Sequence, residues 1–248
     1  TAYDCAVARA HVFAATGLDS FDYLAAHVVR EGSASALARF AIGLVRLRAT
    51  RLTQWLVAIA SPGSDVFLYA RQVVPDDLIR NALQERPGTQ TVILGAGLDT
   101  SSLRIGAERR AAGLAPGTCF EVDLPAMQTE KRTLAARLTR LGPHLDDGHI
   151  RYVPCSFGDN ELGAGLANAG FDPSSPTVWV WSGVIHYLTE TAVRATVAEM
   201  KRLSSPGSLL FFDFILREAY ERPVDYGFDR VKRRFDSYGE VMSFGLRG

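Results

Sequence analysis

Five short runs of β-branched, aliphatic and aromatic residues recur along this chain, near 91–95, 118–123, 150–154, 177–182 and 208–214. Helical stretches at about 126–141, 159–169 and 189–203 separate them. Alternation of this kind predicts an α/β fold, a doubly wound and mostly parallel sheet with helices on both faces. The run Thr177-Val178-Trp179-Val180-Trp181 is almost wholly apolar or β-branched, as a strand covered on both faces requires, and Ser208 to Phe214, entered through Pro206-Gly207, reads as another. The run from Thr118 to Asp123 alternates and leads into Asp123-Leu124-Pro125, where Pro125 is placed to begin a helix at its first turn.

Residues 1–60 read as helices. Ala-rich segments around Ala6–Ala15 and Tyr23–Arg30 precede a longer one from Ser35 to Ala60, in which Phe40, Leu44, Leu47, Leu52, Trp55, Leu56 and Ile59 recur at near-helical spacing. That stripe either packs against a core or forms a lid over an apolar substrate pocket. Ser61-Pro62-Gly63-Ser64 breaks the run, which divides the chain into a helical cap over 1–62 and a sheet domain over 63–248. A helix from about Pro75 to Gln84 follows, opened by Pro75-Asp76-Asp77, whose acids suit the positive end of a helix dipole.

Charge narrows the partners. The 27 Lys and Arg balance the 27 Asp and Glu, so no net attraction to nucleic acid or an anionic membrane is built in, and a small-molecule substrate is the expected partner. The cluster Asp229-Arg230-Val231-Lys232-Arg233-Arg234 is flanked by acids and reads as a solvated helix face. Arg39, Arg46, Arg48 and Arg51 interrupt the longest apolar region, so it does not read as a membrane span. Cys5, Cys119 and Cys155 are widely spaced and form no C-x-x-C pair, which suggests neither a disulfide framework nor a metal site. With no leader visible in Thr1-Ala2-Tyr3-Asp4, the expectation is a reduced, cytoplasmic protein, its oligomeric state left open.

In an open α/β sheet, ligands bind beyond the carboxyl ends of the strands, so the strand ends are read together. The first gives Gly95-Ala96-Gly97-Leu98-Asp99, the second Glu121 and Asp123, the third Cys155-Ser156-Phe157, and the fourth Ser182-Gly183-Val184-Ile185-His186-Tyr187. Neither glycine has a Cβ to hold a ligand away from the backbone. Asp123 lies 26 positions after Gly97, near the roughly 20 expected of an acid that accepts ribose hydroxyls. The third glycine of a dinucleotide fingerprint is replaced by Thr100, and no P-loop occurs. The remaining common nucleoside ligand is S-adenosyl-L-methionine, which has no phosphate and carries a cationic sulfonium.

Three collinear segments carry a resemblance. They are Val92-Ile93-Leu94-Gly95-Ala96-Gly97-Leu98-Asp99-Thr100, then Phe120-Glu121-Val122-Asp123-Leu124-Pro125 followed by Lys131, and Trp181-Ser182-Gly183-Val184-Ile185-His186-Tyr187-Leu188, with a weaker echo in Ala8-Arg9-Ala10. The chain resembles the leucine carboxyl methyltransferase family, and especially its bacterial polyketide O-methyltransferases. The resemblance implies the class I fold that binds S-adenosylmethionine and releases S-adenosyl-L-homocysteine. It implies that Gly95, Ala96 and Gly97 pass close to the methionine part of the cofactor, that Asp99 accepts from its ammonium, and that Arg71 forks onto its carboxylate. Asp123, with Glu121 on the same strand face, would hold the ribose, Ser156 and Phe157 the adenine, and Ser182 would stand at the fourth strand end. His186 is the candidate base or substrate contact and Tyr187 the second. Ser101, Ser156 and Ser182 stand where the family often has an arginine or acids, which leaves open a protein that binds the cofactor without transferring methyl. Family members continue into a final antiparallel strand pair, and a chain end short of that pair is expected.

Overall fold

The computed structural model describes residues 2–16, 22–32, 34–46, 64–158, 161–237 and 242–248. Three helices come first, α1 (Ala2–Thr16), α2 (Ala25–Glu31) and α3 (Ala36–Arg46), followed by the long α4 (Ser64–Glu85). Strand and helix then alternate through β1 (Gln90–Leu94), α5 (Ser101–Ala111), β2 (Cys119–Asp123), α6 (Pro125–Leu138), β3 (Ile150–Pro154), α7 (Leu162–Asn168), β4 (Thr177–Trp181), α8 (Glu190–Leu203) and β5 (Leu209–Phe212). Two helices, α9 (Arg217–Glu221) and α10 (Asp229–Ser237), close the order. The five strands form one all-parallel sheet in the order β3-β2-β1-β4-β5, as the alternation requires.

Strand alternation sorts the core. Val92, Leu94, Phe120, Val122, Trp179 and Trp181 face one side, packing with Leu166 of α7 and Met200 of α8, while Ile93, Cys119, Val178 and Val180 meet Ile79 and Leu83 of α4 and Ile105 of α5 on the other. The N-terminal helices share a third core with the sheet domain, in which Ala6, Leu24, Val28 and Ile42 pack with Leu98, Leu103, Leu134 and Leu138. The expected helix from Ser35 to Ala60 is described only as α3; its remainder, with most of the proposed lid stripe and the break at 61–63, lies outside the described residues. Phe40 of that stripe is 64% exposed, so it does not pack into the core.

Four local expectations change. The helix placed at Pro75 begins at Ser64, and Pro75 sits inside it, where it has no N–H to give to the carbonyl one turn back. Asp76 is accordingly no helix-start acid. It is 1% exposed and paired with Arg104. Helix α5 was not anticipated because Ser101, Ser102 and Arg104 are buried along with Leu103, Ile105 and Ala107, which breaks up the apolar stripe. Strand β5 is not covered on both faces: it ends the strand order, and Leu209, Leu210 and Phe212 are each more than two-fifths exposed. The charged segment near residue 230 is a solvated helix with Lys232–Asp236 and Arg233–Asp229 pairs one turn apart, at 2.8 and 2.7 Å.

One histidine ties α5 to the approach of β3. His149 Nε2 lies 3.0 Å from the Ser102 carbonyl and Nδ1 2.7 Å from Arg110 Nη2, so the neutral ring donates through Nε2 and accepts from the guanidinium through Nδ1. Burial and the Arg110 charge hold its pKa below the ordinary 6.5, against a backbone bond to Ser102 and the nearby Asp146 and Asp147. The unfolded chain then takes up this proton first. The associated stability is present above pH 6.5 and is lost as pH falls through the folded value, by no more than about 1.4 kcal/mol per pH unit. Urea unfolding of His149→Gln and wild type between pH 7.5 and 5.5, about one unit on either side of the ordinary histidine value, checks this. The variant is expected to show the shallower dependence, and parallel curves would remove His149 as a source.

Candidate active site

Strand β1 lies between β2 and β4, so the chain winds away from it in both directions and leaves a crevice beyond the carboxyl ends of β1 and β4. A cavity of about 260 Å³ opens there. Its walls are the turn from Gly95 to Asp99, Ser182 and Gly183 after β4, Arg71 and Gln72 of α4, and Cys5 and Arg9 of α1.

The turn needs glycine. Gly95 has φ +69° and Gly97 φ +44°, and a Cβ on Gly95 would overlap the Val184 side chain. Five consecutive residues are then held by five different parts of the fold. Gly97 N–H donates to Asp123 Oδ2 at 2.6 Å, and the Leu98 carbonyl accepts from Arg9 Nη2 of α1 at 2.8 Å. The Asp99 carbonyl accepts from Lys131 Nζ of α6 at 2.5 Å, Thr100 Oγ1 donates to Asp22 Oδ1 at 2.5 Å, and Ser101 Oγ accepts from Gln72 Nε2 of α4 at 2.6 Å. Backbone tethered in this way presents its polar groups without reorganising when a ligand arrives.

Buried charges support the turn. Arg104 is fully buried, with Nη2 2.7 Å from Asp76 Oδ2 and Nε 3.5 Å from Asp22 Oδ1, and Asp22 is paired in turn with Arg9 Nε at 2.9 Å. Burial pushes the Asp76 carboxyl up and Arg104 opposes it. Burial also acts to raise Asp99, but Arg9, Lys131 and Arg104 outweigh it and hold this carboxyl below its ordinary value. Asp99 is therefore a firm anion. Its Oδ1 accepts from Ser101 N–H at 2.6 Å, occupying the first turn of α5 where a phosphate would otherwise sit.

Across the cavity, Arg71 is fixed by its Nε, which lies 2.8 Å from Asp213 Oδ2 and 3.1 Å from Ser182 Oγ. The guanidinium also stands 5.2 Å from the centre of the Phe67 ring. His186 and Tyr187 also line the cavity, their ring centroids 4.2 Å apart. The His186 carbonyl accepts from Ser243 N–H at 2.8 Å, which pins this short segment from behind.

Of the residues singled out from sequence, Arg71, Gly95, Ala96, Gly97, Asp99, Ser182, His186 and Tyr187 line one cavity. Asp123 stands outside its wall but against it, through Gly97. Glu121 is a correction. It is fully buried, bonded to Ser102 Oγ and 3.0 Å from Lys131 Nζ, so no face of it is left for a ligand. Phe157 packs against Trp181 at 6.2 Å on the other sheet face, and neither it nor Ser156 lines the cavity. Arg9, Gln72 and Asp213 were not anticipated as parts of the site, and Gly183 was read only as part of the fourth strand end. Of the first three, only Arg9 had a signal, the short Ala8-Arg9-Ala10 echo.

The model of one family, described as leucine carboxyl methyltransferase, matches residues 5–201, most of the chain. The chain belongs to the leucine carboxyl methyltransferase family. Curated relatives include proteins provisionally named S-adenosyl-L-methionine-dependent methyltransferases. One, from Mycobacterium avium (strain 104), is 38% identical over 121 residues, which cover 49% of this chain and 35% of the relative. Another, from Streptomyces coelicolor, is 30% identical over 149 residues, covering 60% and 45%. The matched stretch thus spans between about a third and a half of these relatives. In solved structures, the fold resembles a DUF574 family protein from Streptomyces avermitilis MA-4680, with TM-score 0.56, 20% identity, and coverage of 81% of this chain and 72% of that one. It also resembles a protein from Thermobifida fusca YX provisionally described as a methyltransferase, with TM-score 0.56, 18% identity, and coverage of 97% and 75%. For this member of the leucine carboxyl methyltransferase family, the family match takes in α1 as well as the first four strands, so Arg9 and the glycine turn fall within one matched unit.

Proposed function

We propose that the protein binds S-adenosylmethionine in this cavity and transfers its methyl group to a carboxylate or hydroxyl of a small, polyketide-like acceptor. The observation that carries the reading is the pairing of an acid-rich glycine turn with an arginine across one cavity. Around the turn, five acids (Asp22, Asp76, Asp99, Glu121, Asp123) stand with three cations (Arg9, Arg104, Lys131), a balance suited to a ligand bearing a sulfonium and an ammonium. Arg71 supplies a fork for the ligand carboxylate. A pyrophosphate is disfavoured, because Asp99 already fills the start of α5 and Asp22 lies on the Thr100 side chain.

When bound, the cofactor supplies a methyl group already activated by its positive sulfur. The task of the chain is alignment of acceptor, methyl and sulfur, together with exclusion of water. A carboxylate acceptor is ionised at neutral pH and needs no base, whereas a hydroxyl near pKa ~10 gains from one. In this reading His186, buried in the cavity wall with its ring tilted against that of Tyr187, takes that proton, with Tyr187 orienting it or the acceptor.

Calorimetric titration with S-adenosylhomocysteine and, separately, NADH tests the ligand class. Binding of the first and none of the second is expected; the reverse would replace this reading with a nicotinamide one. Incubation with S-adenosylmethionine and a panel of carboxylic acids and phenols then distinguishes transfer from binding alone, through release of S-adenosylhomocysteine.

A further inference from the structure

Asp213 stands just past the end of β5, at the neighbouring strand end to Ser182 and Gly183, and its two carboxylate oxygens do different jobs. Oδ1 accepts from Gly183 N–H at 2.7 Å, and Oδ2 lies 2.8 Å from Arg71 Nε. Gly183 has φ +75°, and a Cβ there would overlap Arg71 Nη2, so this glycine both turns its N–H toward Asp213 and clears space for the guanidinium. The Ser182 hydroxyl on the same Nε is neutral. The negative charge opposing Arg71 comes from Asp213.

A guanidinium has two edges that can grip a carboxylate side by side, one through Nε and one through the terminal nitrogens. Nε donates its one N–H to Ser182 Oγ and has Asp213 Oδ2 beside it as an ion pair. Among the described residues, no protein acceptor is bonded to Nη1 or Nη2, and Arg71 lines the cavity. We propose that Asp213 is the positioning residue of the site: by tying Arg71 Nε and Gly183 N–H together, it reserves the terminal edge of the guanidinium for the carboxylate of the ligand's amino-acid tail. The inference rests on reading the cavity as an S-adenosylmethionine site. Asp213 does not touch the ligand; it sets the angle at which Arg71 does.

The test compares two probes that share a nucleoside and differ in the tail. S-adenosylhomocysteine carries the amino-acid carboxylate, and 5′-methylthioadenosine lacks it. Asp213→Asn is expected to weaken S-adenosylhomocysteine on the order of tenfold by calorimetry, with 5′-methylthioadenosine within about twofold of wild type. Placing an acid beside the same Nε, as Ser182→Asp in the Asp213→Asn background, is expected to restore much of the loss. Equal weakening of both probes, or no weakening of either, overturns the proposal. If Asp213→Asn melts too early to titrate, Asp213→Glu keeps the charge on an arm one methylene longer and displaces Arg71. The same selective loss is expected of it, and an unselective one again overturns the proposal. A wild-type protein that binds neither probe would instead overturn the cofactor reading, and the proposal with it.

Discussion

Arg104→Met is expected to cost about 3–5 kcal/mol of folding stability. The guanidinium is fully buried and pairs with Asp76 at 2.7 Å and Asp22 at 3.5 Å; Asp22 keeps Arg9 and the Thr100 hydroxyl, so Asp76, left with Gln72 at 3.4 Å, is the carboxylate that loses its cation. Methionine fills much of the same volume, so the effect reads the charge rather than a void. Urea unfolding at pH 7 measures it. A loss under about 1 kcal/mol would mean that the two acids take up protons or find other donors, and that the buried network is not what holds α4 and Asp22 against α5. Adding Asp76→Asn to Arg104→Met should recover part of the loss, because the orphaned charge leaves with it.

Asp123→Ala is expected to weaken S-adenosylhomocysteine binding at least on the order of a hundredfold. Two effects combine. A carboxylate that accepts ribose hydroxyls makes charge-assisted bonds, each worth about 1.5–3 kcal/mol. The same carboxylate accepts Gly97 N–H at 2.6 Å and Leu124 N–H at 2.7 Å, so its loss also frees the turn that faces the ligand. Asp123→Asn separates the two, since an amide oxygen still accepts from Gly97 while the charge is gone. Its binding should fall between alanine and wild type. Calorimetry giving wild-type affinity for the alanine variant would remove Asp123 from the site.

The sheet was legible because its strands are short apolar runs bounded by glycine, proline and polar residues, and Thr177–Trp181 is buried along its whole length, as its composition implies. Helix α5 was not legible. Ser102 and Arg104 are buried among Leu103, Ile105 and Ala107, and hydrophobic periodicity is blurred when a helix packs partly through hydrogen bonds and ion pairs. Pro75 misled because a proline before two acids resembles a helix start, whereas here it sits inside a longer helix. Glu121 and Asp123 share a strand face, which made them look equivalent. Depth along the strand separates them: Glu121 pairs in register with Ile93 and Tyr152 inside the sheet, while Asp123 ends β2, where it meets the glycine turn. The glycine turn and Arg71 could be found by motif. Asp213 and Gln72 could not, because their roles exist only once β5 and α4 are brought to that turn.

The grip of Arg9 and Asp22 on residues 98–104 sets a rule for building hybrids. An N-terminal helical segment exchanged between relatives cannot be treated as an interchangeable cover, since Arg9 reaches the Leu98 carbonyl and Asp22 meets Thr100 and Arg104. A transplanted segment lacking either residue would strand a buried guanidinium or an unmet carbonyl in the recipient. A chimaera that folds must therefore carry both sides of this wiring.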